Sequence, residues 1–532
     1  MSRFNLIDEK WIPVRFHDGI RDELGIRDTL LRANEIAVIE DPSPLVVAAL
    51  HRFLLAVLYR ALEGPTDIDQ AKAWFKSGLP GGEITAYLET WRSRFWLFDE
   101  QYPFFQVPTF IPKKWRTWAA LAVEHNADTA KVLFDHVNEK APGSISPAAA
   151  IRWLIATQTF AVSTGKSEIS HTGTAPSAGS MMAIPIGRSL HDTLLFCLVP
   201  QNIMVVRGDL PLWEKPPEII EYLKTKIKVP DKKAGENNDR TIERVATGIV
   251  DLYLWRTRSV IFRDTPSGPI SVLGFASGIG YKESVGCDPM LGYTIKEIAD
   301  KETKSKVKKK FSVQFDEKGV WRDFDSLLPD DEHLAPKVIE HAVVLTKKDR
   351  ARFPRGVMVL GQRYFPPRPN IAFWRKEYFS LPAAISSDRN IRHEIHALLV
   401  DAENGANSLN SACESFAKDM LGHGGRKIEK ADVSNFVAQL YAPAHYWSDL
   451  ESRFHEILRE YSLERDPDDI RCQWLRAVRD TLSKAWEQHS TSISTSDAWA
   501  IRAIVKAKVP VLRKLKELKA EILKLETQEE TT

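Results

Sequence analysis

The last third of the chain carries apolar residues at intervals of three and four, the spacing of one face of an α-helix. Long helices joined by short connectors pack as antiparallel bundles. We therefore predict an all-α C-terminal domain over residues 383–525, a four-helix bundle. Its helical patterns cover about 383–404, 406–420, 428–461, 467–488 and 495–525, the last with a kink at Pro510.

The residues before this region mix two periodicities. Helical spacing behind a capping serine predicts a helix over 44–62, and a second helix is expected from Pro147 to about Val162. Short apolar runs typical of strands dominate 242–380, at 252–255, 260–262, 311–315, 343–345 and 357–360. The fold class predicted is a mixed α/β (α+β) domain over 1–380, followed by the helical bundle.

The first residues, Phe4–Val14, form two apolar runs around the charged tip Asp8–Lys10. This pattern predicts a small hairpin, with Pro13 confining its second run to a sheet edge because proline lacks an N–H donor. The hairpin would begin the α/β domain.

Composition narrows the function classes. The 532 residues carry 73 basic and 71 acidic side chains, a formal net charge of +2, which argues against nucleic-acid binding over the whole surface. Charge is locally uneven, with a lysine-rich run at 301–310. The four cysteines are far apart, so neither a zinc ribbon nor a disulfide framework is expected. The apolar stretches 45–50 and 53–58 are interrupted by His51-Arg52, and no leader pattern is present, so we expect a cytoplasmic protein without a membrane span.

Catalytic motifs are incomplete. His393-Glu394-Ile395-His396 has the wrong spacing for a zinc-protease helix, and Gly165-Lys166-Ser167 lacks the first glycine of a phosphate-binding loop, since Phe160 occupies that position. No catalytic residue, metal or cofactor is therefore predicted, and the protein is not expected to be an enzyme.

Three segments have a composition suited to nucleic-acid contact. The first, 134–147, offers an aromatic ring, an amide and a cation in Phe134, Asn138 and Lys140. Unpaired bases are recognised by stacking and by hydrogen bonds to their edges. An ordinary surface loop is the alternative.

The second segment lies within 163–179, which is rich in Ser, Thr and Gly. Gly165 would allow the backbone to approach a phosphate or groove floor closely, and Lys166 adds positive charge. A flexible connection without a ligand is the alternative.

The third segment is 360–370, stiffened by prolines. Its potential donors are Gln362, Arg363, Arg368 and Asn370, and an arginine on a rigid loop can enter a minor groove or wedge against a base pair. A rigid turn between two strands explains the pattern equally well.

Several strings in this order resemble the CasA family, the large subunits of type I-E CRISPR surveillance complexes called Cascade. They are Phe4–Val14, Tyr102–Gln106, Asp288–Tyr293, Trp321–Leu328, and Gly361–Tyr364 ahead of Phe373–Arg375. The resemblance implies a non-catalytic subunit at the crRNA 5′ handle that reads the protospacer-adjacent motif in double-stranded DNA. It also implies that the subunit helps open the duplex for R-loop formation and docks a helicase–nuclease, with crRNA and other Cascade subunits as partners.

The resemblance also assigns expected roles to residues. Phe134 is similar to the aromatic that anchors the crRNA-contacting loop, and Gly165 to the glycine-rich loop that approaches the motif. Lys282 is the nearest candidate for the family's basic finger. The duplex wedge falls on Arg368, or on Gln362 or Asn370 after a shift of the loop.

Two other classes stay open. A metal-dependent nuclease could use the pairs His17-Asp18 and His191-Asp192. A purely structural scaffold would contact no nucleic acid at all.

Overall fold

The computed structural model describes most of the chain. The described residues are 4–122, 143–162, 173–202, 207–217, 223–226, 239–263, 269–282, 288–299, 306–315, 319–328, 333–365, 370–381, 389–423, 427–461, 465–494 and 496–529. They form two compact units: an α/β unit of residues 1–320 and 326–378, and a helical unit of residues 321–325 and 379–532. The main division falls after Tyr378.

The α/β unit contains eight described helices and several small sheets. The helices are α1 (Ile26–Leu31), α2 (Pro44–Ala61), α3 (Ile68–Ser77), α4 (Gly81–Thr90), α5 (Pro147–Phe160), α6 (Leu190–Cys197), α7 (Ile249–Tyr253) and α8 (Lys337–Thr346). The first eight strands are β1 (Ile12–Phe16), β2 (Arg21–Leu24), β3 (Ile36–Ile39), β4 (Arg116–Thr117), β5 (Met182–Ile186), β6 (Lys224–Lys226), β7 (Asp239–Thr241) and β8 (Glu243–Arg244). The others are β9 (Arg258–Phe262), β10 (Val272–Ser277), β11 (Gly280–Tyr281), β12 (Tyr293–Ala299), β13 (Lys306–Ser312), β14 (His333–Leu334), β15 (Gly356–Phe365) and β16 (Asn370–Phe379).

Most of these strands pair in sheets of three. Their orders are β2-β1-β3, β4-β10-β9, β13-β12-β14 and β16-β15-β5, and two-stranded pairs join β11 to β8 and β6 to β7. The β15–β5 pairing is antiparallel, with Met358 opposite Ile184. The mixed α/β character predicted from sequence is confirmed.

Helix α2 is the central element of the core. It begins behind Ser43, whose side chain accepts a hydrogen bond from the Val46 amide, and nearly every residue is buried. By length and composition it could cross a membrane, but 94% of it is buried inside the protein. No other helix among the described residues is long and apolar enough to do so.

The predicted helix over 44–62 is confirmed, and the polar pair His51-Arg52 lies buried within it. His51 Nδ1 lies 2.8 Å from the Val47 carbonyl oxygen, and Arg52 forms a 2.6 Å ion pair with Asp288. The Arg52 guanidinium also lies 4.2 Å from the centroid of the Tyr253 ring. Both polar side chains are therefore buried with partners, and the helix continues through them.

The N-terminal hairpin differs from its prediction. Residues around Asn5 form a turn, in which the Asn5 side chain accepts a hydrogen bond from the Ile7 amide, and the hairpin is instead β1 with β2. Pro13 lies in the middle strand of its sheet rather than at an edge, and its carbonyl oxygen accepts a bond from the Glu40 amide.

Two runs predicted as strands are helical. Residues 252–255 overlap the end of α7, whose first amides are capped by the Asp209 carboxylate, 2.6 Å from the Val250 nitrogen. Residues 343–345 lie in α8, where buried Val338, Ala342 and Leu345 share one face. Short apolar runs fit a helix or a strand equally well, and in both of these segments the tertiary contacts favour the helix.

The helical unit contains four long helices and two short ones among its described residues. They are α9 (Arg389–Leu421), α10 (Lys430–Ala438), α11 (Tyr441–Glu460), α12 (Pro467–Thr491), α13 (Ala498–Ala507) and α14 (Val509–Glu529). The prediction of a mixed domain followed by a helical region is confirmed. A simple four-helix bundle is not, because two short helices accompany the long ones.

The helix boundaries within this unit follow from packing. The predicted break near residue 405 is absent, because α9 runs through it. A glycine is needed at 405 inside the helix, since a Cβ there would lie 2.3 Å from the Tyr446 hydroxyl oxygen. The predicted 428–461 helix is divided between Ala438 and Tyr441. The chain also breaks at Lys508, so Pro510 occupies the first turn of α14, where its missing N–H costs little.

Aromatic rings form the core of the helical unit. Trp321, which reaches this unit from the 321–325 segment, has its ring centroid 5.2 Å from that of Phe454 and 5.5 Å from that of Trp447. The Trp474 indole nitrogen donates to the Leu398 carbonyl oxygen at 2.8 Å. The Trp321–Leu328 string thus contributes core residues to the helical unit.

Candidate nucleic-acid interface

In and beside the second predicted contact segment, which lies within 163–179, the described residues that flank 163–172 are held together by main-chain and side-chain bonds. The Arg258 guanidinium donates to the carbonyl oxygen of Val162 on one side and to that of Gly173, at 3.1 Å, on the other. The Ala175 amide donates to the Ala161 carbonyl oxygen at 2.7 Å. Residues 163–172 themselves, with Gly165 and Lys166, lie outside the described residues.

Gln362 supports the same region from β15. Its side chain is fully buried, and Nε2 donates to the Phe160 carbonyl oxygen at 2.6 Å, at the end of α5. This placement disagrees with the sequence prediction of a DNA-facing donor or wedge. Side chains alternate between the two faces of a strand, and at this position the strand directs the amide inward.

A cleft lies directly beside these anchors, and we call it the loop cleft. It has a volume of about 220 Å³, and its lining residues are Gly173, Thr174, Ala175, Pro176, Ala178, Gly179, Ser180, Glu243, Gly280, Tyr281, Ser312, Gln314 and Tyr364. Its lining comes from residues 173–180, from β8 and β11, from the end of β13 and the residues just after it, and from β15. A cleft that is open, small and mostly polar suits contact with a polar polymer better than enclosure of a small molecule.

Lys282 is exposed at one edge of the loop cleft. Its amide donates to the Arg244 carbonyl oxygen at 2.9 Å, which extends the parallel β11–β8 pairing by one residue. The preceding Tyr281 packs edge-on against Trp255, with ring centroids 5.3 Å apart. The backbone under the lysine is therefore fixed while its side chain projects to solvent.

Arg363 lies at another edge, next to the cleft-lining Tyr364. Its Nη1 donates to Gln314 Oε1 at 3.1 Å, and the side chain is half-buried. Gly361, two residues earlier, has φ +156°, and a Cβ there would lie 2.5 Å from the Ser180 carbonyl oxygen, so the close approach of β15 to Ser180 requires glycine.

Several predicted contact residues cannot be placed. Outside the described residues lie Phe134, Asn138, Lys140, Gly165, Lys166 and Arg368. Asn370 begins β16, and only its backbone is described. The structure therefore brings Lys282, Arg363 and the anchored ends of 163–172 together, with β15 and β16 leading into and out of 366–369.

A basic strand, β13, ends at the same cleft and was not among the contact segments predicted from the sequence. β13 carries exposed Lys306, Lys308, Lys309 and Lys310 and runs directly into cleft-lining Ser312. The Ser312 hydroxyl accepts a bond from that of Ser180 at 3.0 Å, which ties the strand to the cleft. The lysine-rich run at 301–310 was the available signal.

The His17-Asp18 pair of the nuclease alternative forms a turn. Asp18 Oδ1 accepts a bond from the Ile20 amide at 2.9 Å, and His17 Nε2 lies 3.2 Å from the Asn34 carbonyl oxygen. Gly19, with φ +89°, completes the β1–β2 connection. Both side chains therefore have local structural contacts.

His191 and Asp192 are buried in α6. Burial raises the pKa of the Asp192 carboxyl, but hydrogen bonds from His191 and Arg352 outweigh it, so its pKa lies below the usual value. The carboxylate is thus committed to an internal ion pair with Arg352. Among the residues that the structure describes, no group of three or more His, Cys, Asp or Glu side chains is arranged to hold a metal ion.

Comparison with known proteins connects this geometry to a family. The model of the family CRISPR-associated protein Cse1 matches residues 5–485. A curated relative, CRISPR-associated protein CasA/Cse1 of Thermus thermophilus, is 29% identical over 532 residues, covering 98% of this chain and 99% of the relative.

Solved structures agree with that match. A crystal structure of Thermus thermophilus CasA has a TM-score of 0.81 at 28% identity, covering 97% of this chain and 100% of that one. A chain from a structure described as a CRISPR RNA-guided surveillance complex has a TM-score of 0.70 at 19% identity, covering 96% and 100%, which shows a shared fold.

Proposed function

The chain belongs to the CRISPR-associated protein Cse1 family, also called CasA, and from this premise we propose that it is the DNA-recognition subunit of an RNA-guided surveillance complex. In this role it reads a protospacer-adjacent motif in double-stranded DNA and helps open the duplex for the guide RNA. In such systems the protein reads a short motif and base pairing reads the sequence.

One observation carries the proposal. Segments far apart in the chain, singled out for their composition, meet around the loop cleft: the ends of 163–172, Lys282 and Arg363. Phosphate contacts fix a protein's register on a duplex, while groups in the groove discriminate bases. A cleft with glycine-rich walls and cations at its edges can offer phosphate contacts at its edges and close approach to the bases at its walls.

Charge supports a local rather than a general DNA-binding surface. The net charge of the chain is only +2, yet β13, which carries exposed lysines, ends at the cleft, and exposed Lys282 directly follows the cleft-lining Tyr281. Lysines that neutralise phosphates release counterions, so binding here should depend on salt. This localised basic region favours DNA recognition over a scaffold without nucleic-acid contact.

We assign duplex opening to the connection between β15 and β16. Because Gln362 is buried, we assign the wedge to Arg368, with Asn370, two residues later in the sequence, as the second candidate. Inserting a side chain between two base pairs costs unstacking free energy, and the added protein–DNA contacts offset that cost. Phe134, Asn138 and Lys140 are proposed to contact the crRNA and the neighbouring subunit.

The subunit is proposed to act by binding rather than by catalysis. Its partners would be crRNA, double-stranded target DNA, the other Cascade subunits and a helicase–nuclease. The structural roles of Asp18 and Asp192 leave the nuclease alternative without a supporting observation.

The test uses the reconstituted complex and duplexes that differ only in the bases beside the target. Lys282→Ala and Arg368→Ala should each weaken binding to the motif-bearing duplex, and Lys282→Ala should also lower the salt dependence by about one counterion. Lys484→Ala, an exposed lysine of the helical unit, is the matched control. Unchanged motif discrimination in both variants would refute the proposal.

A second experiment addresses the crRNA contact. Phe134→Ala should reduce retention of the subunit in the complex during size-exclusion chromatography, since stacking contributes about 1–3 kcal/mol per base. Retention at the wild-type ratio would contradict this part of the proposal.

A further inference from the structure

Glu243 is the only charged side chain among the described residues that line the loop cleft. The other lining residues are glycine, alanine or proline, or carry a hydroxyl or an amide. We propose that Glu243 is a specificity-determining residue, whose carboxylate accepts a hydrogen bond from an exocyclic amino group of a base in the motif-bearing duplex. The inference rests on the proposed function, because it requires that the loop cleft receives DNA.

The backbone on both sides of Glu243 is held by strand β11. In the parallel β8–β11 pairing, Glu243 lies opposite Gly280, whose amide donates to the Ile242 carbonyl oxygen at 2.8 Å. The Lys282 amide donates to the Arg244 carbonyl oxygen at 2.9 Å. Two main-chain hydrogen bonds therefore flank the glutamate, and they fix the position from which its side chain projects.

The direction of the Glu243 side chain follows from the alternation along β8. The guanidinium of the next residue, Arg244, lies 4.3 Å from the centroid of the Trp255 ring, and its Nη2 donates to Asp251 Oδ1 at 2.9 Å. Successive side chains of a strand point to opposite faces. The strand thus directs the carboxylate to the cleft and the neighbouring guanidinium to the face that carries Trp255 and Asp251.

The glycine opposite Glu243 makes room for the glutamate side chain. A Cβ at Gly280 would lie 2.6 Å from the Glu243 Cγ, well inside the distance at which nonbonded carbon atoms pack. The stem of the glutamate therefore lies across Gly280 at the wall of the cleft. Because Glu243 is also exposed, its carboxylate is accessible to a molecule that enters there.

A carboxylate at this wall selects which part of a duplex the cleft accepts. Every phosphate of DNA carries a negative charge, so like-charge repulsion disfavours a phosphate beside Glu243. An ionised carboxylate has acceptor oxygens and no donor, and the donors that bases present in the grooves are exocyclic amino groups. These groups belong to adenine and cytosine in the major groove and to guanine in the minor groove. Glu243 therefore favours a base edge that carries an amino group.

The charges at the edges of the loop cleft complement this preference. Exposed Lys282 directly follows the cleft-lining Tyr281, and Arg363 directly precedes the cleft-lining Tyr364. Cations at the edges attract phosphates, while the carboxylate between them repels phosphates and attracts a donor. Such a combination of attraction and repulsion is how an interface obtains specificity in addition to affinity.

The test begins with the reconstituted complex and duplexes with randomised bases beside the target, which reveal the preferred motif. Each base of that motif is then replaced by an analogue without the amino group: hypoxanthine for guanine, purine for adenine and pyrimidinone for cytosine. One of these replacements should weaken binding by the wild-type complex about tenfold, the usual effect of losing one good base contact. The base that responds identifies the groove, since guanine presents its amino group in the minor groove and the other two bases in the major groove.

The same duplexes are then measured with Glu243→Ala, which completes a double-mutant cycle. The tenfold effect of the amino group should fall below about twofold, because its acceptor is absent. The cycle also cancels the weaker base pairing of the analogues, which is the same for both proteins. Glu243→Gln keeps one acceptor oxygen without the charge and should retain part of the discrimination. Equal losses in the two variants would overturn the proposal, since they would assign the effect to charge alone.

The outcomes separate this inference from the proposed function. A wild-type complex without motif discrimination would overturn both. Motif discrimination with amino-group effects of equal size in the wild type and in Glu243→Ala would overturn only the role of Glu243. Tighter binding of every duplex by Glu243→Ala, with discrimination unchanged, would do the same, because removing a repulsive charge explains it.

Glu9→Ala is the matched control for the change in net charge. Glu9 is exposed, lies in the turn before β1 and is not among the described residues that line the cleft. This variant should keep the wild-type response to every analogue. A response altered as much as in Glu243→Ala would trace the effect to net charge and overturn the assignment of Glu243.

Discussion

The α/β unit and the helical unit both bury clusters of aromatic rings, around Phe53, Phe104 and Trp213 in the first and around Trp321 in the second, but they differ in their buried polar contacts. The α/β unit buries polar side chains that hold irregular segments in place, among them the Arg52–Asp288 ion pair, Arg258 and Gln362. Each of them bonds to a loop or to the end of a helix. The helical unit buries rings, with Trp321, Phe454 and Trp474 in mutual contact. Helices satisfy their own backbone groups and need only apolar packing, whereas irregular segments need directional bonds to hold one conformation.

The largest effect is expected from an unpaired charge in the α/β unit. Asp288→Leu leaves the fully buried Arg52 without its partner and should lower the free energy of unfolding by about 3–5 kcal/mol. Urea unfolding followed by labelling of buried Cys197 reports on this unit.

The matched control removes both charges. Arg52→Met with Asp288→Leu should recover much of the loss, because no unpaired charge remains buried. If the double variant is as unstable as the single one, the stability of this unit depends on the charged pair itself, and apolar side chains of similar volume cannot replace it.

The next largest effect is expected from the ionisation of Asp401 in the helical unit, which makes the free energy of unfolding depend on pH. Burial raises the pKa of Asp401 to about 6, although Arg471 lies 3.2 Å away. The folded state therefore binds the proton more tightly than the unfolded state, so this stabilisation is complete below about pH 4 and is lost as pH rises through 6. Asp401→Asn should be more stable than wild type at pH 7, by on the order of 1–2 kcal/mol, and similar to it at pH 4.

Urea titrations at pH 4, 5, 6 and 7, followed by circular dichroism, measure this difference. Arg471 keeps its contact with Glu521, at 3.1 Å, in the variant. A difference that does not grow with pH would contradict the raised pKa.

A polar deletion in the helical unit should cost much less than one in the α/β unit. Tyr446→Phe removes a hydroxyl that donates to the Ala402 carbonyl oxygen at 2.8 Å but keeps the buried ring. We expect a loss of about 1 kcal/mol, the usual value of one hydrogen bond. Labelling of buried Cys413 and Cys472 during urea unfolding reports on this unit, and a loss as large as that of Asp288→Leu would remove the contrast.

The smallest effect is expected on the surface. Lys484 pairs with Asp449 at 2.7 Å, but both side chains are exposed to solvent. Lys484→Ala should change the free energy of unfolding by less than about 1 kcal/mol, and less still in high salt. A larger loss in the same cysteine-labelling experiment would assign this pair a structural role.

Local sequence signals determined the elements that do not depend on distant partners. Ser43 caps α2 as expected, since an N-cap hydroxyl bonds to its own first turn, and α5 begins at Pro147 as predicted. The order of a mixed domain and a helical region followed from periodicity, and the family followed from short strings in a preserved order.

Tertiary structure decided the rest. The sequence could not show that Gln362 points inward, because a shift of one residue along a strand reverses which face a side chain occupies. Nor could it show that Arg258 joins Val162 to Gly173, or that Lys282 and Arg363 border one cleft. These long-range hydrogen bonds of Arg258 and Gln362 join residues 85 to 202 positions apart, and their partners are selected by the packing of the whole unit rather than by any local preference.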